Sequence, residues 1–205
     1  MSSRSKRVFF GDFVFVVDEN VYEPAEDSFL FAENLDVKEG ERVLDMGTGC
    51  GILGIIAAKK ASIVVAVDVN PYAVRCAKEN ALLNNARSKF SFVQGDLFSP
   101  ISEQAAFDVI LFNAPYLPAE ESEPTSWLSR AWSGGTTGRE VIDRFINEST
   151  TYLKGRGRLL LLQSTIAGLE KTLLAFEKCD MSGKVIAERV VPFFEKIVLL
   201  EARKH

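Results

Sequence analysis

Two hydrophobic patterns follow one another along the chain. Near the start, Val8-Phe9-Phe10 and Phe13-Val14-Phe15-Val16-Val17 are short apolar runs on either side of Gly11-Asp12, which predicts a β-hairpin over residues 8–17. Residues 24–36 predict a helix, with Pro24 near its start and the acids Glu26 and Asp27 in its first turn. From residue 42 onward, short apolar runs alternate with segments of helical periodicity. Strands are expected at 42–47, 62–68, 90–94, 107–112 and 157–163, and helices at 51–60, 71–84, 139–153 and 166–178. Runs such as Ile63-Val64-Val65-Ala66-Val67 and Leu159-Leu160-Leu161-Leu162 suit strands covered on both faces of a parallel sheet. Residues 185–191 and 197–200 are two further strands around Pro192-Phe193-Phe194, with no room for a helix between them, so they must pair antiparallel. The pattern is that of an α/β, Rossmann-like domain: a mostly parallel seven-stranded sheet closed by a C-terminal antiparallel hairpin. The whole chain, 1–205, reads as one domain, with a hairpin and helix in 1–40 and the Rossmann-like core in 41–205.

Composition narrows the chemistry. With 205 residues, 47% apolar and 25% charged, the chain can fill an ordinary globular core. A net charge of −4 argues against a broad grip on nucleic-acid phosphates, and Arg4, Lys6 and Arg7 read as a solvated tail. Cys50, Cys76 and Cys179 are widely spaced and form no CxxC, so no metal site is expected and a reducing cytoplasm is the simplest compartment. No secretory apolar region or membrane-length apolar run appears. The only His is His205, which removes Ser-His-Asp, Cys-His and His-metal catalysis from consideration.

What remains is concentrated at strand ends. Gly47-Thr48-Gly49-Cys50-Gly51 follows the first parallel strand, where glycines let backbone turn sharply and approach a ligand. Asp45, just before it, would repel a pyrophosphate but suits the amino group of S-adenosyl-L-methionine. Asp68 ends the second strand and can accept both ribose hydroxyls. Asp96, followed by Leu97, ends the third, where a carboxylate or amide oxygen can accept from an adenine amino group. Each acid alone could be a turn or helix cap. Asn113-Ala114-Pro115-Tyr116 ends the apolar run 107–112. A planar NH2 group offers only hydrogens, and Asn113 Oδ1 with the carbonyl of Ala114 supplies two acceptors for it. Pro115 holds residue 114 extended, and Tyr116 can pack on the flat face of the acceptor. The polar segment 117–138 that follows is too long for a plain connection and should border the substrate, with Trp127 and Trp132 either in that border or anchored in the core.

Asn113-Ala114-Pro115-Tyr116 is a near match to the Asn-Pro-Pro-Tyr signature of amino methyltransferases. Together with Val21-Tyr22-Glu23-Pro24-Ala25-Glu26-Asp27-Ser28, Ala131-Trp132-Ser133-Gly134-Gly135 and Gly138-Arg139-Glu140-Val141, it makes the chain resemble the HemK-type protein-glutamine methyltransferases. Within them it resembles the short archaeal and eukaryotic branch that acts on class I translation release factors. The resemblance implies a class I S-adenosylmethionine-dependent methyltransferase fold. It implies Ser28, Asp45 and Gly47 at the methionine end of the cofactor, Asp68 at the ribose, Asp96 and Leu97 at the adenine, and Asn113 at the transfer site, with Gly49 and Gly51 of the same loop also binding cofactor. It also implies a small zinc-binding activator protein, expected to pair with the edge strand Phe90-Ser91-Phe92-Val93-Gln94. Ala114 departs from the family's first Pro, which keeps the carbonyl but loosens φ. The rival readings are methylation of adenine N6 or cytosine N4, methylation of lysine, and a cofactor-binding subunit without catalysis.

Overall fold

The computed structural model describes residues 5–103, 106–119, 126–191 and 196–204. The order is β1 (Lys6–Phe10), β2 (Phe13–Val17), α1 (Glu26–Glu33), β3 (Arg42–Met46), α2 (Ile52–Ala57), β4 (Ile63–Asp68), α3 (Pro71–Leu83), β5 (Phe90–Gln94), β6 (Phe107–Asn113), α4 (Trp127–Arg130), α5 (Glu140–Tyr152), β7 (Leu153–Ser164), α6 (Leu169–Lys178), β8 (Met181–Val190) and β9 (Lys196–Lys204). None of the described helices is long and apolar enough to cross a membrane.

The main sheet has seven strands in the order β5-β4-β3-β6-β7-β9-β8. From β5 to β7 every pairing is parallel, and β9 runs antiparallel to both β7 and β8. The chain leaves β3 toward β4 on one side and returns as β6 on the other. The strand order therefore reverses between β3 and β6, and a crevice opens beyond their carboxyl ends. The apolar runs are covered on both faces as expected: Val43, Leu44, Val64, Ile110, Leu111, Leu159 and Leu161 are fully buried. Under the crevice floor, Phe112 packs on Phe145 and Phe98 stacks on Tyr152.

The N-terminal hairpin forms as read, with Phe10 opposite Phe13 across Gly11-Asp12. Helix α3 holds it in place. Asn80 and Asn84, one turn apart, face β2 and satisfy its free backbone groups. Val16 N–H donates to Asn80 Oδ1 at 2.8 Å and Val14 N–H to Asn84 Oδ1 at 3.1 Å, and both side chains donate back to the carbonyls of the same residues. Asn80 also donates to the Cys50 carbonyl at 2.8 Å, which ties the hairpin to the glycine loop.

Several boundaries differ from the sequence reading. The helix expected at 166–178 begins at Leu169, because Gly168 adopts φ +83° after a short 3-10 turn at Thr165–Ala167. The helix expected at 24–36 spans Glu26–Glu33. Strand β8 starts at Met181, directly after a turn in which Asp180 has φ 57°, and not at 185. The Pro192-Phe193-Phe194 connection lies outside the described residues.

Candidate functional site

A cleft of about 680 Å³ lies at the carboxyl ends of β3, β4, β5 and β6, within the usual size for a small-molecule site. Its walls bring together most of the residues singled out above: Ser28, Gly47, Gly49, Asp68, Asp96, Leu97, Asn113, Ala114, Pro115 and Tyr116. Gly47 and Gly49 sit at φ 61° and 57°, so their backbone lines the cleft in a conformation few other residues take. Gly51 is not in the lining. It starts α2 at φ 89°, and a Cβ there would lie 3.1 Å from Ala77, so its place is in loop–helix packing.

Asp45 is the one acid that departs from its expected place. It is buried beneath the loop and outside the cleft lining. Its Oδ2 accepts from Thr48 Oγ1 at 2.6 Å and from Gly54 N–H at 3.0 Å, so it braces the loop against α2. A Cβ on Gly54 would sit 2.7 Å from that oxygen, so only glycine admits the contact. Burial pushes the Asp45 carboxyl up to about 7, against the pull of its two donors.

Asp68 does face the cleft. Its Oδ2 accepts from Gly49 N–H and its Oδ1 from Asn70 N–H, both at 2.9 Å. Each oxygen keeps a lone pair for a ligand. Burial raises its pKa from the ordinary carboxylate value. Asp96 is more exposed and pairs with Arg144 at 2.7 Å, while Leu97 beside it is held at φ 46°, an uncommon conformation for a side chain of that size.

At the far end of β6, Asn113 donates through Nδ2 to Asp27 Oδ2 at 3.0 Å and lies 3.4 Å from Ser28 Oγ. Its Oδ1 is buried and without a partner, the only such side-chain atom among the described residues. An unsatisfied buried acceptor is costly and calls for an explanation. Ala114 extends the ladder: its N–H donates to the Leu162 carbonyl at 3.2 Å, a bond that proline could not make. The rigidity lost by replacing proline is thus offset by an extra contact with β7. Tyr22, Trp127 and Trp132 line the same end, and Trp132 is 38% exposed, so it borders the cleft and does not anchor the core.

The described part of segment 117–138 folds back on this end. Leu117 N–H donates to the Trp132 carbonyl at 2.9 Å, and Gly134 N–H to the Leu117 carbonyl at 2.8 Å. Gly138, at φ 71°, lies so close that a Cβ would be 2.5 Å from the Tyr116 carbonyl. Buried Arg139 fixes the segment from behind, donating to the carbonyls of Ala167 and Gly168 and to Thr172 Oγ1. Sequence reading missed Asp27, Gly54 and Arg139 as supports. Asp27 and Arg139 stood in quoted motifs, but nothing local revealed their distant partners.

Comparison with known proteins places this geometry in context. Residues 17–128 match the family model described as the methyltransferase small domain. A protein provisionally named N5-glutamine methyltransferase from Methanocaldococcus jannaschii is 46% identical over 181 residues, covering 87% of this chain and 90% of that one. The human methyltransferase HEMK2 is 32% identical over 182 residues, covering 83% of this chain and 84% of its own. Among solved structures, the E. cuniculi Mtq2–Trm112 complex, responsible for methylation of the termination factor eRF1, matches with a TM-score of 0.70 at 27% identity. It covers 91% of this chain and 99% of that one.

Proposed function

We propose, from the premise that the chain belongs to the methyltransferase small-domain family, that it methylates a glutamine side-chain amide in a translation release factor. The observation that carries this reading is the orphaned Asn113 Oδ1 at the cleft. It is a buried acceptor on the cleft lining with no partner among the described residues, placed to receive a donor from a bound molecule. A planar amide NH2 has two hydrogens to give. Asn113 Oδ1 takes one and the Ala114 carbonyl the other, which fixes the nitrogen with its face toward the cofactor end of the cleft. Tyr22, Tyr116 and the two tryptophans provide flat apolar walls for the amide and its methylene stem.

The residues fit S-adenosyl-L-methionine as cofactor, which when bound supplies an electrophilic methyl group on a sulfonium. The free lone pairs of Asp68 suit ribose hydroxyls, the positive-φ backbone of Gly47 and Gly49 leaves room for a closely approaching ligand, and Ser28, on the cleft lining, would serve the methionine end. Asp96 and Leu97, also on the lining, would flank the base. Asp45 acts by holding the loop. Labelled-methyl transfer, offering recombinant release factor and total RNA separately, tests the reading; label in RNA alone would contradict it.

For a partner, the strand edges differ. β8 carries Lys184, Glu188 and Arg189 and a register shift between Val185 and Ala187, devices that discourage pairing. The opposite edge, β5, is short, has no charged residue and leaves Phe92 and Val93 only half-buried. Strand addition there by a small zinc-binding protein would satisfy its free backbone groups. Phe92 stacks on Phe90 at 5.0 Å, so substituting it would disturb the core as well as the edge. Hydrogen exchange is the cleaner probe. Amides 90–94 should slow in the complex, and unchanged exchange would remove β5 from the interface.

A further inference from the structure

We propose that Asp27 is a positioning residue that sets which end of the Asn113 amide faces the methyl acceptor. The two ends of an asparagine amide are nearly the same size, so shape alone does not choose between them. Their hydrogen bonding is opposite. The reading above needs the oxygen toward the cleft, because an NH2 there would meet the NH2 of the acceptor, donor against donor.

Asp27 makes the choice. An ionised carboxylate only accepts, and its Oδ2 lies 3.0 Å from Asn113 Nδ2. Turning the amide over would set oxygen against oxygen. Asp27 cannot turn away, since its Oδ1 takes Ser28 N–H at 2.6 Å, Ser28 Oγ at 3.3 Å and the Tyr22 hydroxyl at 3.1 Å. It is 6% exposed, a costly place for a carboxylate that merely favours a helix start. Its neighbour Glu26, in the same first turn, is exposed and pairs with Arg189 at the surface.

The inference rests on the reading of Asn113 as acceptor for the substrate NH2, and a reciprocal exchange separates the two. In Asp27→Asn the new amide can still serve Ser28 and Tyr22 through its oxygen, but it turns a donor toward Asn113, which flips and presents its NH2 to the cleft. Asn113→Asp sets two carboxylates face to face. The double variant restores one donor facing one acceptor, with the remaining carboxylate oxygen directed at the cleft and the pair's charge unchanged. With release factor as substrate, Asp27→Asn should keep cofactor affinity and lose about 100-fold or more in kcat, the size seen when one preorganised hydrogen-bond partner is lost. The double variant should recover about tenfold or more over either single one. Parental kcat in Asp27→Asn, or a double variant no better than the worse single, would overturn the proposal. Asn113→Ala run alongside tells the failures apart: parental transfer there would sink the role of Asn113 itself. Should Asp27→Asn not fold, the parent protein decides. Its Asn113 Nδ2 protons, assigned by their loss in Asn113→Ala, should exchange slowly with solvent, and fast exchange would overturn the proposal.

Discussion

Replacing Asp68 with Asn probes the cofactor end of the cleft with little change of shape. In the parent, each carboxylate oxygen holds one backbone N–H, from Gly49 and Asn70, and has a lone pair left. The amide keeps one acceptor and turns a donor toward the other position. One ribose hydroxyl contact is lost, together with its charge assistance. Hydrogen bonds to charged groups contribute about 1.5–3 kcal/mol, so S-adenosylmethionine should bind about 10–150-fold more weakly. Calorimetry measures this, with thermal unfolding as the control for a displaced loop. A cofactor analogue lacking the ribose hydroxyls completes a cycle: it should bind the parent more weakly than the natural cofactor does, and bind the variant no worse. Unchanged affinity in a folded variant, or the same penalty for the analogue in both proteins, would refute the assignment of Asp68 to the ribose.

Two other outcomes follow from local geometry. The Asp45 carboxyl, raised to about 7 by burial, binds a proton in the folded state that the unfolded chain has released above about pH 4. Stability should therefore fall as pH rises between those values, by up to about 1.4 kcal/mol per pH unit, and the slope should flatten in Asp45→Asn; denaturant unfolding at several pH values reads it, and an equal slope in both proteins would contradict the burial argument. Ala114→Pro removes the bond to the Leu162 carbonyl and should cost about 1 kcal/mol of stability while retaining transfer, since the carbonyl at 114 remains; a variant as stable as the parent, or one without transfer, would contradict this.

The sheet was legible because parallel strands covered on both faces leave continuous apolar runs, and Val64 to Val67 or Leu159 to Leu162 can be little else. The positions of the glycine loop, Asp68 and Asn113 followed from their place at strand ends. What an acid does at a strand end was not legible. Asp45 and Asp68 look alike in sequence, yet one turns back to brace Gly54 and the other faces the cleft. That choice depends on a glycine nine residues onward and on helix packing, not on local pattern. Helix boundaries moved where one residue took positive φ, as at Gly168. The supports were hidden for a related reason. Asp27 meets Asn113, and Arg139 meets Ala167, only after the chain has closed on itself.

The central claim is that the Asn113 end of the cleft presents acceptors to a glutamine amide. Mass spectrometry of a release factor after incubation with S-adenosylmethionine and the protein, with and without the proposed small zinc-binding partner, tests it most directly. The account predicts a single added methyl on a glutamine side-chain nitrogen, absent when Asn113→Ala replaces the parent although cofactor binding persists. A methyl group on any other residue type, or undiminished glutamine methylation by Asn113→Ala, would contradict it.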